Sequence, residues 1–371
     1  MNKIIEQYFR DKSDKLVYLE LKEEKDIYID HGLTDIALPI VSDELMQALQ
    51  NNQFENEVST EYIVDGMLYN IAIDPEFNYI KDYVRVLENM LEDPSKYAIG
   101  RGIKAMDTDL DKALIFFRAA YLIDPANAYA AYNYARLLWR NPLEGQEREA
   151  FVQEAIKILE SILKINDNFA LSYYELGNIY RQLADPIKAM NYYRHALSRV
   201  DEESVREEIR LQMADIEPDA LIADAIYHMN RMNYSQAIAS LNEAQSKASR
   251  YDILYYLGVS YMNQDNFELA LDYFKKAKAG GADFATFYVD YVYVNFVTGR
   301  VLEALNIASE GLELHPTDLK LRYNRALIYA EIGNVAKAVS DLDFILEYAD
   351  LSDEFFNQVM IVKDGLLNPK E

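Results

Sequence analysis

Cysteine is absent from the 371 residues, which excludes disulfides, thiolate catalysis and cysteine-based zinc sites and suits a reducing compartment. Histidine is scarce, and His31, His195, His228 and His315 are too scattered for a shared site. No P-loop, GxSxG elbow or HExxH occurs. Lys and Arg number 37 against 62 Asp and Glu, and the net charge of -25 argues against binding to a phosphate backbone. No apolar run reaches the length of a membrane span, and the opening MNKIIEQYFRDKSDK lacks the apolar core of a signal peptide. The expectation is a soluble, cytoplasmic chain with no nucleic-acid ligand, no membrane insertion, no metal and no cofactor.

Two weak motifs have plainer readings. Asp107, Asp109 and Asp111 mimic the start of a calcium loop, but Lys112 replaces its glycine and Arg118 stands where the bidentate Glu belongs, so a turn and helix N-cap is the better reading. Gly100-x-Gly102 follows no convincing strand and does not read as a dinucleotide loop.

What the sequence does contain is repetition. Tyr173, Leu176, Gly177, Tyr180, Ala189, Tyr193 and Ala196 recur eighty-one residues later as Leu254, Leu257, Gly258, Tyr261, Ala270, Phe274 and Ala277. Ala270, Ala304 and Ala338 step by thirty-four. Apolar residues at helical spacing fill two short runs per period, each too short to be stable alone, so neighbouring helices must cover one another. Small residues (Gly177 or Gly258, then Ala189 or Ala270) sit where two helices touch, with aromatics beside them.

This pattern resembles the tetratricopeptide repeat, a thirty-four-residue helix pair. The resemblance implies a mainly α fold, a right-handed superhelical solenoid of about seven pairs over residues 93–350. Residues 93–203 read as three repeats, 204–217 as an extra helix ending before Pro218, 218–350 as four repeats, and 351–371 as a capping helix and tail in which Phe355, Phe356, Val359 and Met360 cover the last repeat. In the first repeat Arg101 stands where Gly or Ala is expected. In the second, Ala135 and Ala155 are twenty apart instead of twelve, and the eight extra residues near Asn141, Pro142 and Gly145 predict an enlarged turn, Asn141 to Arg148.

Residues 1–92 differ from the rest and read as a small α/β or α+β segment. Up to Asp93 the chain holds eight Lys and Arg against twenty-one Asp and Glu, which suits a basic partner. An opening helix leads to KLVYLEL and DIYID, which alternate like a hairpin around Glu23 to Lys25. IALPIV suggests a third strand, Ser42 an N-cap, and residues 61–91 a capping helix pair.

In the tetratricopeptide family the first helices line a concave face, and the fifth, ninth, twelfth and thirteenth positions point into it. Carried over, the fifth position is Tyr132, Tyr174, Tyr255 and Tyr323, interrupted by Ile222 and Val289. Arg136 and Asn178 take the ninth, Trp139 and Arg181 the twelfth, Arg140 the thirteenth, and Asn133 adds a sixth. Tyrosine offers apolar area with a hydrogen-bonding tip, and arginine clamps carboxylates. The resemblance thus implies a non-enzymatic adaptor that holds a peptide bearing an acidic group near Arg136, Arg140 and Arg181; pairing of these arginines with acids of the chain itself is the plainer alternative. A peptide-sensing regulator that changes shape is the second reading, and an enzyme with its site in the N-terminal segment the last.

Overall fold

The computed structural model describes residues 2–19, 36–50, 59–348 and 350–368. The chain divides into two compact units, Met1–Met213 and Ala214–Glu371, and both are built from helices.

In the first unit the Asn2 side chain accepts from the Ile4 amide and starts α1 (Lys3–Arg10), whose Ile5 and Phe9, four apart, are buried. Strand β1 (Leu16–Leu19) pairs antiparallel with β2 (Leu38–Val41), placing Leu16 opposite Val41. Leu16–Leu19 of KLVYLEL therefore pair with the strand read in IALPIV, while Glu20, Leu21, DIYID and the Glu23–Lys25 turn lie outside the described residues. Beyond β2 come α2 (Ser42–Gln50), α3 (Thr60–Ile73) and α4 (Ile80–Met90). From Ile63 to Ile73, α3 is buried on every side. Strand β2 crosses it so closely that a Cβ on Gly66 would sit 1.9 Å from the Pro39 carbonyl oxygen, a spacing only glycine permits.

Helix pairs follow: α5 (Pro94–Ala105) with α6 (Leu110–Ile123), α7 (Ala128–Arg140) with α8 (Gly145–Ile165), and α9 (Ala170–Gln182) with α10 (Pro186–Leu197). Asp109 caps α6 by accepting from the Lys112 amide at 2.9 Å, as the N-cap reading expected. Small-against-large packing sets the approach of the helices. A Cβ on Gly177 would lie 2.6 Å from the Tyr193 ring. In the first pair Gly102, not residue 101, fills this role, since its Cβ would lie 2.6 Å from Phe117. The glycine there stands one residue nearer its alanine, with eleven residues from Gly102 to Ala113 against twelve from Gly177 to Ala189, because α5 ends at Ala105, soon after its glycine, while α9 runs on to Gln182. That shift turns Arg101 toward α3, where it pairs with the buried Asp65 and, at 2.9 Å, with Glu61.

Two expectations about connections are corrected. The eight extra residues after α7 do not make a large turn; all but Asn141–Glu144 are helical, and α8 runs for 21 residues. Buried Ala150, Phe151 and Val152 continue its apolar periodicity and give the added turns something to cover. Nor does a helix end before Pro218. A single helix, α11 (Glu203–Asn230), carries Pro218 inside it, and the division between the units falls within its length. Proline removes one hydrogen bond, but Ile209 and Ile216 are buried before it and Ile222 and Ala225 after it, so each half of the helix has its own apolar face to bury.

The second unit continues with α12 (Tyr234–Lys247), α13 (Tyr251–Met262), α14 (Phe267–Ala279), α15 (Ala285–Val297), α16 (Val301–Leu314), α17 (Leu319–Glu331), α18 (Val335–Leu346) and α19 (Asp353–Leu367). Each first helix ends in the same way. Met232, Asp265, Gly299 and Gly333 have φ of 60°, 57°, 77° and 76°, and the next amide reaches back five residues, for example Asn266 to Tyr261 at 3.0 Å and Asn334 to Tyr329 at 2.8 Å. This is the Schellman arrangement, which satisfies carbonyls the helix leaves open. In α19 Phe355 and Val359 face the core, but Phe356, one residue round the helix, is exposed and does not cover the last pair as expected.

Candidate functional site

In the first unit four of the predicted residues, Tyr132, Arg136, Trp139 and Arg140, converge on one carboxylate that the sequence reading missed. Glu175, on α9, is 1% exposed. It accepts from the Trp139 indole at 3.0 Å, from Arg140 at 3.1 Å and from the Tyr132 hydroxyl at 3.4 Å. Arg136 stands 3.5 Å away. Four side chains of α7, spaced at 132, 136, 139 and 140, lie on one helical face, and that face meets α9 at Glu175. Two arginines against one carboxylate leave the cluster net positive, and the Arg140 side chain is still 38% exposed.

Burial, reinforced by Glu175, pushes the Tyr132 phenol up to about 12, so it stays a neutral donor. The plainer reading of these arginines, as partners of an acid within the chain, thus applies to Arg136 and Arg140. A signal for Glu175 was present: once the eight-residue insertion is allowed for, it stands one position past Tyr132 in the repeat, on the adjoining first helix.

The remaining predicted residues are placed differently. Asn133 donates to the Tyr129 carbonyl of its own helix at 2.8 Å. Asn178 accepts from Tyr193 at 2.7 Å and ties α9 to α10. Tyr174 donates to Glu208, and Arg181 donates to Gln212 at 2.6 Å, both on α11. Burial and the Glu208 hydrogen bond push the Tyr174 phenol up to about 12. Tyr255 and Tyr323 lie in the second unit and do not join the Glu175 cluster. Tyr255 donates to Asp290 at 2.8 Å, and Tyr323 meets Phe355 edge to face at 5.6 Å. Tyr132 and Tyr255 are each 8% exposed, so these rings fill the seam between first helices and offer a ligand little area.

Where α7 ends, the added turns of α8 wall a cleft of about 420 Å³. Trp139, Val152, Ile179 and Leu183 line it, with Arg148 and Gln182 among its polar residues. Arg148 also donates to the Asn141 carbonyl at 3.1 Å and so anchors the short turn. Trp139 belongs to both the cleft and the Glu175 cluster, so an apolar pocket adjoins a net-positive patch.

Among the described residues no group of three or more His, Asp or Glu is arranged to hold a metal ion, and no helix is long and apolar enough to cross a membrane.

Comparison with known proteins finds matches to tetratricopeptide repeat family models at residues 170–199 and 223–283. Superkiller protein 3 of Schizosaccharomyces pombe is 22% identical over 207 residues, 54% of this chain, and the match covers only 14% of that protein's length. Among solved structures, YrrB, described as a tetratricopeptide protein with an unusual peptide-binding site, is 18% identical over 56% of this chain and 97% of its own, with a TM-score of 0.37. PilW, a type IV pilus biogenesis factor, is 17% identical over 62% of this chain and 98% of its own, with a TM-score of 0.40. Likenesses this loose carry no functional weight.

Proposed function

We propose that this chain, a member of the tetratricopeptide repeat superfamily, is a non-enzymatic interaction scaffold that holds a peptide segment of a partner protein on the first helices of its first unit. The observation that carries the reading is the ratio at Glu175, two arginines to one buried carboxylate. Such a group is held in place by its own ion pairs yet retains positive charge for an acidic residue of the ligand. Trp139 and the adjoining cleft add an apolar anchor site of the kind that concentrates binding energy at protein interfaces. The overall charge of -25 opposes an acidic ligand, but at physiological salt the screening length is about 8 Å, so local contacts outweigh distant charge.

Quantitative capture from the source lysate tests this, comparing wild type with an Arg140→Ala, Arg181→Ala double variant whose fold is checked by circular dichroism. Both side chains are exposed at the surface, so the variant is expected to fold and to lose a partner that wild type retains. Glu175→Gln removes the opposing charge and is expected to keep or strengthen capture. Identical partners on all three proteins would sink the reading.

A further inference from the structure

The first helices of the second unit carry a different chemistry from those of the first. In the first unit the positions four and seven residues past the tyrosine hold Arg136, Trp139, Asn178 and Arg181. In the second they hold Val259 and Met262 on α13, then Tyr293 and Phe296 on α15, with no charge among them. Val259, Met262 and Phe296 are half-buried against the core of that unit, and Tyr293 is 47% exposed. Ile226, thirty-three residues before Val259, and Leu327, thirty-four after Tyr293, continue the register on α11 and α17, and both are half-buried. Four successive first helices thus present an apolar stripe at one repeat position, where chance surface composition would scatter single apolar residues.

On this face α17 carries the exposed Glu331, one turn past Leu327, and α15 carries Asp290. Asp290 is half-buried and precedes Tyr293 by one helical turn. It accepts from Tyr255 at 2.8 Å and makes no ion pair with any described residue. Burial pushes its carboxyl up from the ordinary aspartate value, opposed by the Tyr255 hydrogen bond and by the charge of Lys320. A carboxylate drawn out of water attracts an incoming cation more strongly than a solvated one does. The surrounding field has the same sign, since residues 214–371 hold 24 Asp and Glu against 13 Lys and Arg. The same field disfavours a second copy of this acidic chain as the occupant.

We propose that this face is a docking site for an amphipathic helical segment of a partner protein, with its apolar stripe along the first helices and one Lys or Arg paired with Asp290. The proposal rests on reading the chain as an interaction scaffold, but its site and ligand chemistry are separate from those of the Glu175 cluster. An amphipathic helix presents a continuous apolar face, which suits a stripe to which each of four first helices contributes one apolar residue.

Fluorescence anisotropy on the full chain tests it, with a labelled synthetic helix bearing Leu on one face and Lys on the other. A scrambled peptide of the same composition and a Leu/Glu version serve as controls. Saturable binding of the Leu/Lys helix is expected, weakened about tenfold by Tyr293→Glu and about tenfold by Asp290→Asn, each a loss of one good contact. Tyr293 is exposed, so its variant is expected to fold, and circular dichroism checks both.

Absence of saturable binding, equal binding of the scrambled peptide, equal binding of the Leu/Glu helix, or indifference to Tyr293→Glu each overturns the proposal. Self-association that Tyr293→Glu abolishes assigns the face to a second copy and also overturns it. The Arg140→Ala, Arg181→Ala variant is expected to bind the Leu/Lys helix as wild type does. If it keeps its lysate partners as well, the proposed function alone has failed. If it loses them while the Leu/Lys helix binds to nothing, this proposal alone has failed.

Discussion

The Tyr255 hydroxyl donates to Asp290 on the next first helix at 2.8 Å. The same rung joins Tyr132 to Glu175 at 3.4 Å and Tyr174 to Glu208. A tyrosine at one repeat position bonded to a carboxylate on the adjoining first helix therefore recurs in both units. Tyr255→Phe keeps the ring and deletes the donor to a half-buried carboxylate, so an expected loss is about 1–2 kcal/mol. Tyr174→Phe should lose less than about 0.5 kcal/mol, because exposed Glu208 turns to water instead. Urea unfolding of the two variants checks the order, and equal losses would show that burial of the acceptor does not set the value of the rung.

Packing gives a second ordering. Gly177→Ala and Gly258→Ala each place a methyl group 2.6 Å from an aromatic ring, Tyr193 or Phe274. Each is expected to cost about 1–3 kcal/mol as the helices separate or the ring shifts. Gly365→Ala, in α19 with nothing within 4 Å of the added carbon, should instead stabilise by about 0.5–1 kcal/mol through helix propensity. Thermal melts of the three variants read this directly; destabilisation by Gly365→Ala in the same range would refute the steric account.

The parts of the fold legible in the sequence were those enforced by local, repeated contacts. Gly177 and Tyr193 are sixteen residues apart, as are Gly258 and Phe274, and the repeat shows because the same contact is needed each time. Arg101 misled because the stretch from the contact glycine to Ala113 is one residue shorter than its counterpart, so the glycine that touches Phe117 is Gly102. Pairing in the N-terminal segment was less legible, since Leu16 and Val41 are distant in sequence and the alternation of the nearer DIYID offered another partner. At the candidate site Tyr132, Arg136, Trp139 and Arg140 were found from position alone. Their counter-ion Glu175 was not, because it sits on the next first helix and the eight added residues of α8 displace it from the simple period. A Pro at 218 suggested a helix end, but that cue weighs only the local hydrogen bond and not the residues buried on either side of it.

Backbone geometry yields predictions of opposite sign at equivalent turns. Met232 has φ of 60°, in the left-handed region where L side chains are strained, and Gly333 occupies the matching turn at 76°. Met232→Gly removes strain of about 1 kcal/mol but adds freedom to the unfolded chain, so a net gain of a few tenths to about 1 kcal/mol is expected. Gly333→Ala imports the strain and should cost about 1 kcal/mol. Melting temperatures of both variants against wild type test the pair; movement in the same direction would mean that φ does not control stability at these turns.

Asp65 supplies a dependence on pH whose sign is unusual for a paired carboxylate. Burial in α3 pushes its carboxyl up from 3.8 to about 6, overcoming the opposing pull of Arg101, with Glu44 adding to the rise and Lys112 opposing it. Between these two values the folded chain binds the Asp65 proton more tightly than the unfolded chain does. Its contribution to stability is therefore greatest below about pH 4, declines as pH rises toward 6, and is constant above. The decline amounts to about 2–3 kcal/mol. Ordinary carboxylates that are paired in the fold act in the opposite direction, so the contribution must be read as a difference between two proteins. Asp65→Asn keeps the shape and removes the titration. Relative to wild type, this variant should gain stability as pH is raised from 4 to 7, measured by urea midpoints across that range. A constant difference over the range would show that Arg101 holds Asp65 ionised throughout, and that desolvation in α3 is weaker than the ion pair.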